Sequence, residues 1–278
     1  MIASYDGLEE KASQKAATRD MSALNQAVRT FKVLNRKLPN NVESLLSNDV
    51  ATISTITDDD NVTTTLGSTT TEATLLSTEL QALIAPAALT QTQFDNLIAA
   101  GITKVRYLDV LGDDETVSNL NIDGIDGNNA ASVGAISTID IPGHAFETPL
   151  AGSGNNRGRG FVFDLENATF GSSNQEFAIW GGQNPSSPTD QYDNLKVGAP
   201  ADSVLVAFGL GNSSTIVKGD FSAKISHAPF YTNVDKEKYN HYIMLVDVTQ
   251  NPAKLITIVN SLGNSIDEEF SESTEQKN

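Results

Sequence analysis

The run 113-DDETVSNLNIDGIDGNN-129 concentrates carboxylate and amide oxygens on a glycine-rich backbone, which is what a hard cation such as Ca²⁺ requires. Asp123 and Asp126 are the candidate ligands, and Asp58, Asp59 and Asp60 form a second acidic cluster. The D-x-[DN]-x-[DN]-G spacing and closing Glu of an EF-hand are missing. The same composition also serves ordinary Asn/Asp/Gly turns.

Other chemistry is harder to assemble. His144, His227 and His241 lie far apart, and none has a His or Glu at metal-helix spacing. The nucleophile-elbow pattern G-x-S-x-G is absent; GSSN at 171 and GNSS at 211 read as turns. The run GSGNNRGRG at 152–160 lacks the Lys-Ser/Thr of a phosphate loop and precedes a strand-like FVFDL where that motif needs a helix. Trp180, between Ile179 and Gly181, reads as a core residue, with sugar stacking as the alternative. No catalytic residue is assigned, and the chain reads as a non-enzyme.

Whatever these residues do must rest on a folded body. The chain has 278 residues, 39% of them apolar and only 19% charged, with abundant Gly, Ser, Thr, Asn and Asp. That mixture suits a β-rich body with many turns. A net charge of −17 argues against a nucleic-acid partner, whose affinity comes from clustered Lys and Arg. The charge is uneven: Lys11, Lys15, Arg19, Arg29, Lys32, Arg36 and Lys37 outnumber four acids in residues 1–40, so that segment is +3 and the rest −20. A basic helix beside an acidic body could face anionic lipid, an acidic neighbouring subunit or its own domain. There is no cysteine, so disulfides and thiolate metal sites are excluded. No run of 18 apolar residues occurs, and MIASYDGLEEK is not a signal-peptide pattern.

Leu8, Ala12, Ala16, Met21, Leu24, Val28 and Phe31 recur at helical spacing, predicting one helix from about Ala3 to between Asn35 and Lys37, stopped by Pro39. Asn40 or Asn41 would cap a second short helix over 42–46. Residues 47–70 read as Thr-rich loop with at most one short strand. A helix capped at Thr70 or Thr71 is expected through TEATLLSTELQALIA to Pro86, a second from Thr90 over QTQFDNLIAA to Gly101, then a strand in ITKVRYLDVL. Seven strand candidates come next: GAISTIDI, GFVFDL, EFAIWGG, SVLVAFGL, TIVKGD, YNHYIMLVDV and AKLITIVNS. IDEEFSESTEQKN reads as a frayed acidic tail.

The residues 5-YDGLEEKASQKAATRDMSALNQAVRTFKVLNRKLPNNVESLL-46 resemble the exposed half of the N-terminal helix of type IV pilin-like proteins, including type II secretion pseudopilins. The matching positions are Ala12, Ala16, Ala17, Leu24, Ala27, Val28, Phe31, Asn35, Pro39, Leu45 and Leu46, within about 45 of the 278 residues. The resemblance implies an α+β fold, a long N-terminal helix packed on an antiparallel β-sheet; the extra short helices inserted before the sheet are read from the residues, and 47–135 carries no motif of the family. The chain then divides into a helix at 1–37, a variable helix and loop region at 38–135, a sheet body at 136–263 and an acidic tail at 264–278, in one compact domain. Met21, Leu24, Val28 and Phe31 would grip the sheet. The family's apolar first half-helix, cleaved leader and acid near the mature N-terminus are not in this chain, so Met1 reads as an added start on a truncated ectodomain.

The resemblance further implies a structural subunit of a bacterial pilin-like or pseudopilin filament. Its partners would be other pilin-like subunits, and it would contact the membrane only through the missing segment. It would sit in the periplasm or at the cell surface, with no cofactor. The alternative is a secreted or surface-layer-type module using its β body to hold carbohydrate or calcium.

Overall fold

The computed structural model describes residues 3–57, 61–71, 76–109, 136–138, 159–166, 170, 176–188, 197–211, 214–220, 222, 224–234 and 239–274. Helix α1 spans Ala3–Asn35. Met21 and Val28 are 0% exposed, Phe31 1% and Leu24 3%. At ~1.5–3 kcal/mol per large apolar side chain fully buried, this stripe anchors the helix by several kcal/mol before ordering entropy is subtracted. The helix ends where Asn35 Nδ2 turns back to the Phe31 carbonyl (2.9 Å) and Arg36 takes a left-handed φ of 57°.

Asn40 then sets the course of the chain. Its Oδ1 accepts from the backbone N–H groups of Thr103 (2.9 Å) and Lys104 (2.8 Å), and its Nδ2 donates to Thr103 Oγ1 (2.8 Å). The side chain that would cap a second helix is therefore committed 63 residues away. In place of that helix the chain extends as β1, Val42–Thr57, laid parallel to β4 with Val42 opposite Val105 and Glu43 opposite Arg106. A bulge between Glu43 and Ser47 places Leu45 at φ 63°, with Ser44 Oγ accepting from Leu46 N at 3.1 Å. The region expected as loop is a hairpin: β2, Asn61–Thr71, pairs antiparallel with β1.

Helix α2 is shorter than its pattern suggests, Thr78–Leu83, because Ser77 caps it by accepting from Leu80 N (3.2 Å). Pro86 lies inside a strand, β3 (Ile84–Ala88), which among the described residues pairs with β7 alone, so the missing N–H sits on an edge. Helix α3, Gln91–Ala99, starts on a Thr90–Gln93 capping box, and Gly101 has φ 93° beyond its end, both as read from sequence. Strands β4 (Lys104–Asp109), β5 (Ile136–Thr138), β6 (Arg159–Asp164), β7 (Glu176–Trp180) and β8 (Leu205–Gly209) come after it.

TIVKGD is helical, not a strand: α4 covers Thr215–Lys218, turned by bonds from Val217 and Lys218 N to Ser214 O and tied by Thr215 N to Asn40 O. Among the described residues, strands β9 (Ile243–Asp247) and β10 (Lys254–Val259) complete a ten-stranded sheet in the order β10-β9-β8-β1-β4-β6-β5, with β2 on β1 and β7 bridging β3 to β8. The β1–β4 pair makes it mixed, not antiparallel as expected. Every residue of β8 and β9 is buried, so both sheet faces are covered there. Residues expected to fray form α5, Ile266–Thr274, which packs along α1, while α1 also lies on β10. The architecture is α+β, helices with a mixed sheet and a long helix at the N-terminus.

Candidate functional site

With Met21, Leu24, Val28 and Phe31 turned inward, positions one step along the helix face out. Ser22, Asn25, Gln26, Arg29, Thr30, Val33 and Leu34 line an open groove of about 500 Å³, closed at one side by Ile266 of α5. Its apolar end is bare: Val33 is 77% exposed and Leu34 57%. Its polar wall is fixed by Arg29, whose Nε donates to Asn25 Oδ1 (3.0 Å) and whose Nη2 donates to the Ile256 carbonyl of β10 (3.2 Å). Beside it, burial holds the Lys32 ammonium below the ordinary lysine value, and the charges of Lys254 and Arg29 lower it further. The face is thus positively crowded as well as partly apolar.

The helix bordering this groove is held by a buried carboxylate. Ser265 and Glu268 cap α5 reciprocally: Ser265 N donates to Glu268 Oε2 (2.9 Å) and Glu268 N to Ser265 Oγ (3.4 Å). Glu269, fully buried, then accepts at Oε1 from Asn260 Nδ2 (2.5 Å), Tyr231 OH (3.1 Å) and Asn264 Nδ2 (3.2 Å). Burial raises the nearby Tyr242 hydroxyl far above its usual value, with Asp20, Glu269 and Tyr231 adding to the shift. The S-x-x-E at 265–268 was the sequence sign of this helix, and a tail reading passes over it.

A second buried acid sits inside the sheet. Glu43 on β1 accepts from Tyr239 OH at Oε2, and a Cβ on Gly209 or Gly211 would collide with these side chains. His241 is buried edge-on to Tyr239, ring centroids 5.9 Å apart, with Nδ1 3.3 Å from the Pro229 carbonyl. Glu43 and Tyr239 are each 1% exposed, so no substrate reaches them in this conformation. Their arrangement knits β1 to the chain entering β9.

Of the residues singled out by sequence, Asp58–60, Asp123, Asp126 and His144 lie outside the described residues. His227 is exposed, its Nδ1 2.9 Å from Ser226 Oγ. Trp180 is 1% exposed, which leaves no ring face for a sugar. Among the described residues no group of three or more His, Asp or Glu is placed to hold a metal ion, and no helix is long and apolar enough to cross a membrane. What the fold brings together at the surface is the α1 groove, Arg29 and the start of α5.

The chain matches no protein-family model, no curated protein and no solved structure. The α1 groove and its neighbouring helix therefore carry the functional reading.

Proposed function

We propose that this protein is a structural subunit of a type IV pilin-like or pseudopilin filament, acting by assembly and surface display without catalysis. One observation carries the reading: α1 buries one stripe in its own domain while leaving Val33 and Leu34 open beside a basic groove. Two adjacent bare aliphatic side chains bordering a basic groove offer a second surface apolar contact and charge together. The subunit is held in a bacterial membrane, before assembly, by an apolar segment preceding this helix, and displays its sheet and loops to the periplasm or cell exterior. Its partners are other subunits of the same kind.

Two measurements test this. The coding sequence upstream of Ile2 is expected to specify a short basic leader and about 20 apolar residues, enough to span a bilayer. An ordinary secretory signal or a cytosolic domain there sinks the proposal. Electron microscopy of sheared surface material from the producing cells should show filaments labelled by antibodies to this chain; label confined to soluble monomer counts against it.

A further inference from the structure

Four large apolar side chains are prominently exposed among the described residues, and three of them lie on two neighbouring helices: Val33 and Leu34 on α1, and Phe270, 60% exposed, on α5. The two helices carry opposite charge. Between Ala12 and Lys37 there are six Lys/Arg and one acid, whereas α5 holds Asp267, Glu268, Glu269 and Glu272 with no Lys or Arg. Lys15, Arg19 and Arg29 are exposed on α1, Arg36 and Lys37 are exposed just beyond its end, and Asp267 is exposed on α5.

Glu269 meanwhile points inward to Tyr231, Asn260 and Asn264, and the Ser265–Glu268 box fixes the helix start. Asp267 and Phe270 are thus presented on an anchored helix, so little ordering cost remains when they bind. Burial and the charges of Lys254 and Arg29 already penalise the Lys32 ammonium, and an incoming acidic helix relieves the charge part of that penalty.

We infer that in the assembled protein the α1 groove of one copy receives the C-terminal helix α5 of a second copy, with Phe270 against Val33 and Leu34 and Asp267 facing Arg29. The inference rests on the assembly reading and names the surfaces that meet. The contact is heterologous, and propagates copy to copy, when each copy gives α5 to one neighbour and receives α5 from another; reciprocal exchange between two copies would instead close a two-fold dimer.

The chain has no cysteine, so single cysteines report contacts cleanly. Val33→Cys and Phe270→Cys, both at exposed positions, are made as separate variants, mixed, oxidised and resolved on non-reducing gels. The mixture should give a crosslinked dimer that neither variant gives alone, with loss of that dimer when the Phe270→Cys copy also carries Asp267→Lys and its return when the Val33→Cys copy carries Arg29→Glu. A crosslinked dimer formed by either variant alone, Val33 to Val33 or Phe270 to Phe270, overturns the inference and leaves assembly standing. So does assembly seen by sedimentation with no crosslink. Chain that is monomeric by sedimentation at every concentration, with no filaments from the full-length product, removes both readings.

Discussion

The two faces of α1 are built from the same helix and diverge within single steps of sequence. Val28 and Phe31 are enclosed, while Val33 and Leu34, one turn on, stand in solvent. The inner face acts on the fold, because each side chain there leaves water and meets the core. On the outer face Arg29 ties the helix to β10, while Val33 and Leu34 stay in water, add little to the isolated domain and are open to another surface. Stability and assembly are therefore separable on this helix, and substitutions should affect one without the other.

The largest effect is expected at Phe31. Phe31→Ala removes a buried ring and leaves a cavity, at a cost of ~3–5 kcal/mol, read as a fall in the urea midpoint at unchanged slope. A change as small as that of a surface substitution would mean that the inner face is not the anchor. Next is Asn40→Ala, which strips the acceptor from Thr103 N and Lys104 N. Leaving such groups without a partner costs ~1–3 kcal/mol each, and hydrogen exchange should accelerate in β1 and β4 before α1. Uniform acceleration would show that Asn40 does not hold the parallel pair.

The inner face of α1 was legible in the sequence because it rests on local rules, a 3.6-residue period and a proline stop, and α3 was legible likewise from its Thr90 cap and the glycine beyond its end. The region after α1 was not. Residues 42–46 look amphipathic with an Asn before them, but Asn40 is engaged with residues more than 60 positions later, which no local window contains. The Thr-rich hairpin offers β-branched side chains without the Gly or Pro punctuation of a tight turn, and TIVK is β-branched yet turns because Thr215 N pairs with Asn40 O. Glu43 meets Tyr239 across 196 residues and Glu269 meets Tyr231 across 38, so the polar pairs that pin both ends of the chain are properties of the fold. The groove was legible only as charge: the basic excess of residues 1–40 indicated a face, and the exposure of Val33 and Leu34 gave it an apolar end.

A smaller effect should appear at the boundary of the two faces. Lys32 binds its proton less readily when folded than unfolded, so just below the ordinary value of 10.5 the unfolded chain holds more protons. Stability should therefore rise with pH through that window, and the charge penalty is fully present at lower pH. The side chain is partly exposed and screened, so the slope is shallow. Lys32→Met should flatten it, as followed by melting temperature against pH, and a slope identical in both proteins would place its source in another group.

The smallest effect on the fold, and the sharpest on the comparison, is expected at Val33. Because that side chain is already 77% exposed, Val33→Ser removes little buried area and should shift stability within about 0.5 kcal/mol. If the outer face is an assembly surface, the same substitution lowers the oligomer fraction in sedimentation at fixed concentration, while the melting curve stays in place. The pairing of those two readouts matters more than either alone. Loss of both stability and assembly would make Val33 part of the core in solution, and loss of neither would leave the bare end of α1 as an ordinary exposed aliphatic residue, with the assembly surface elsewhere on the chain.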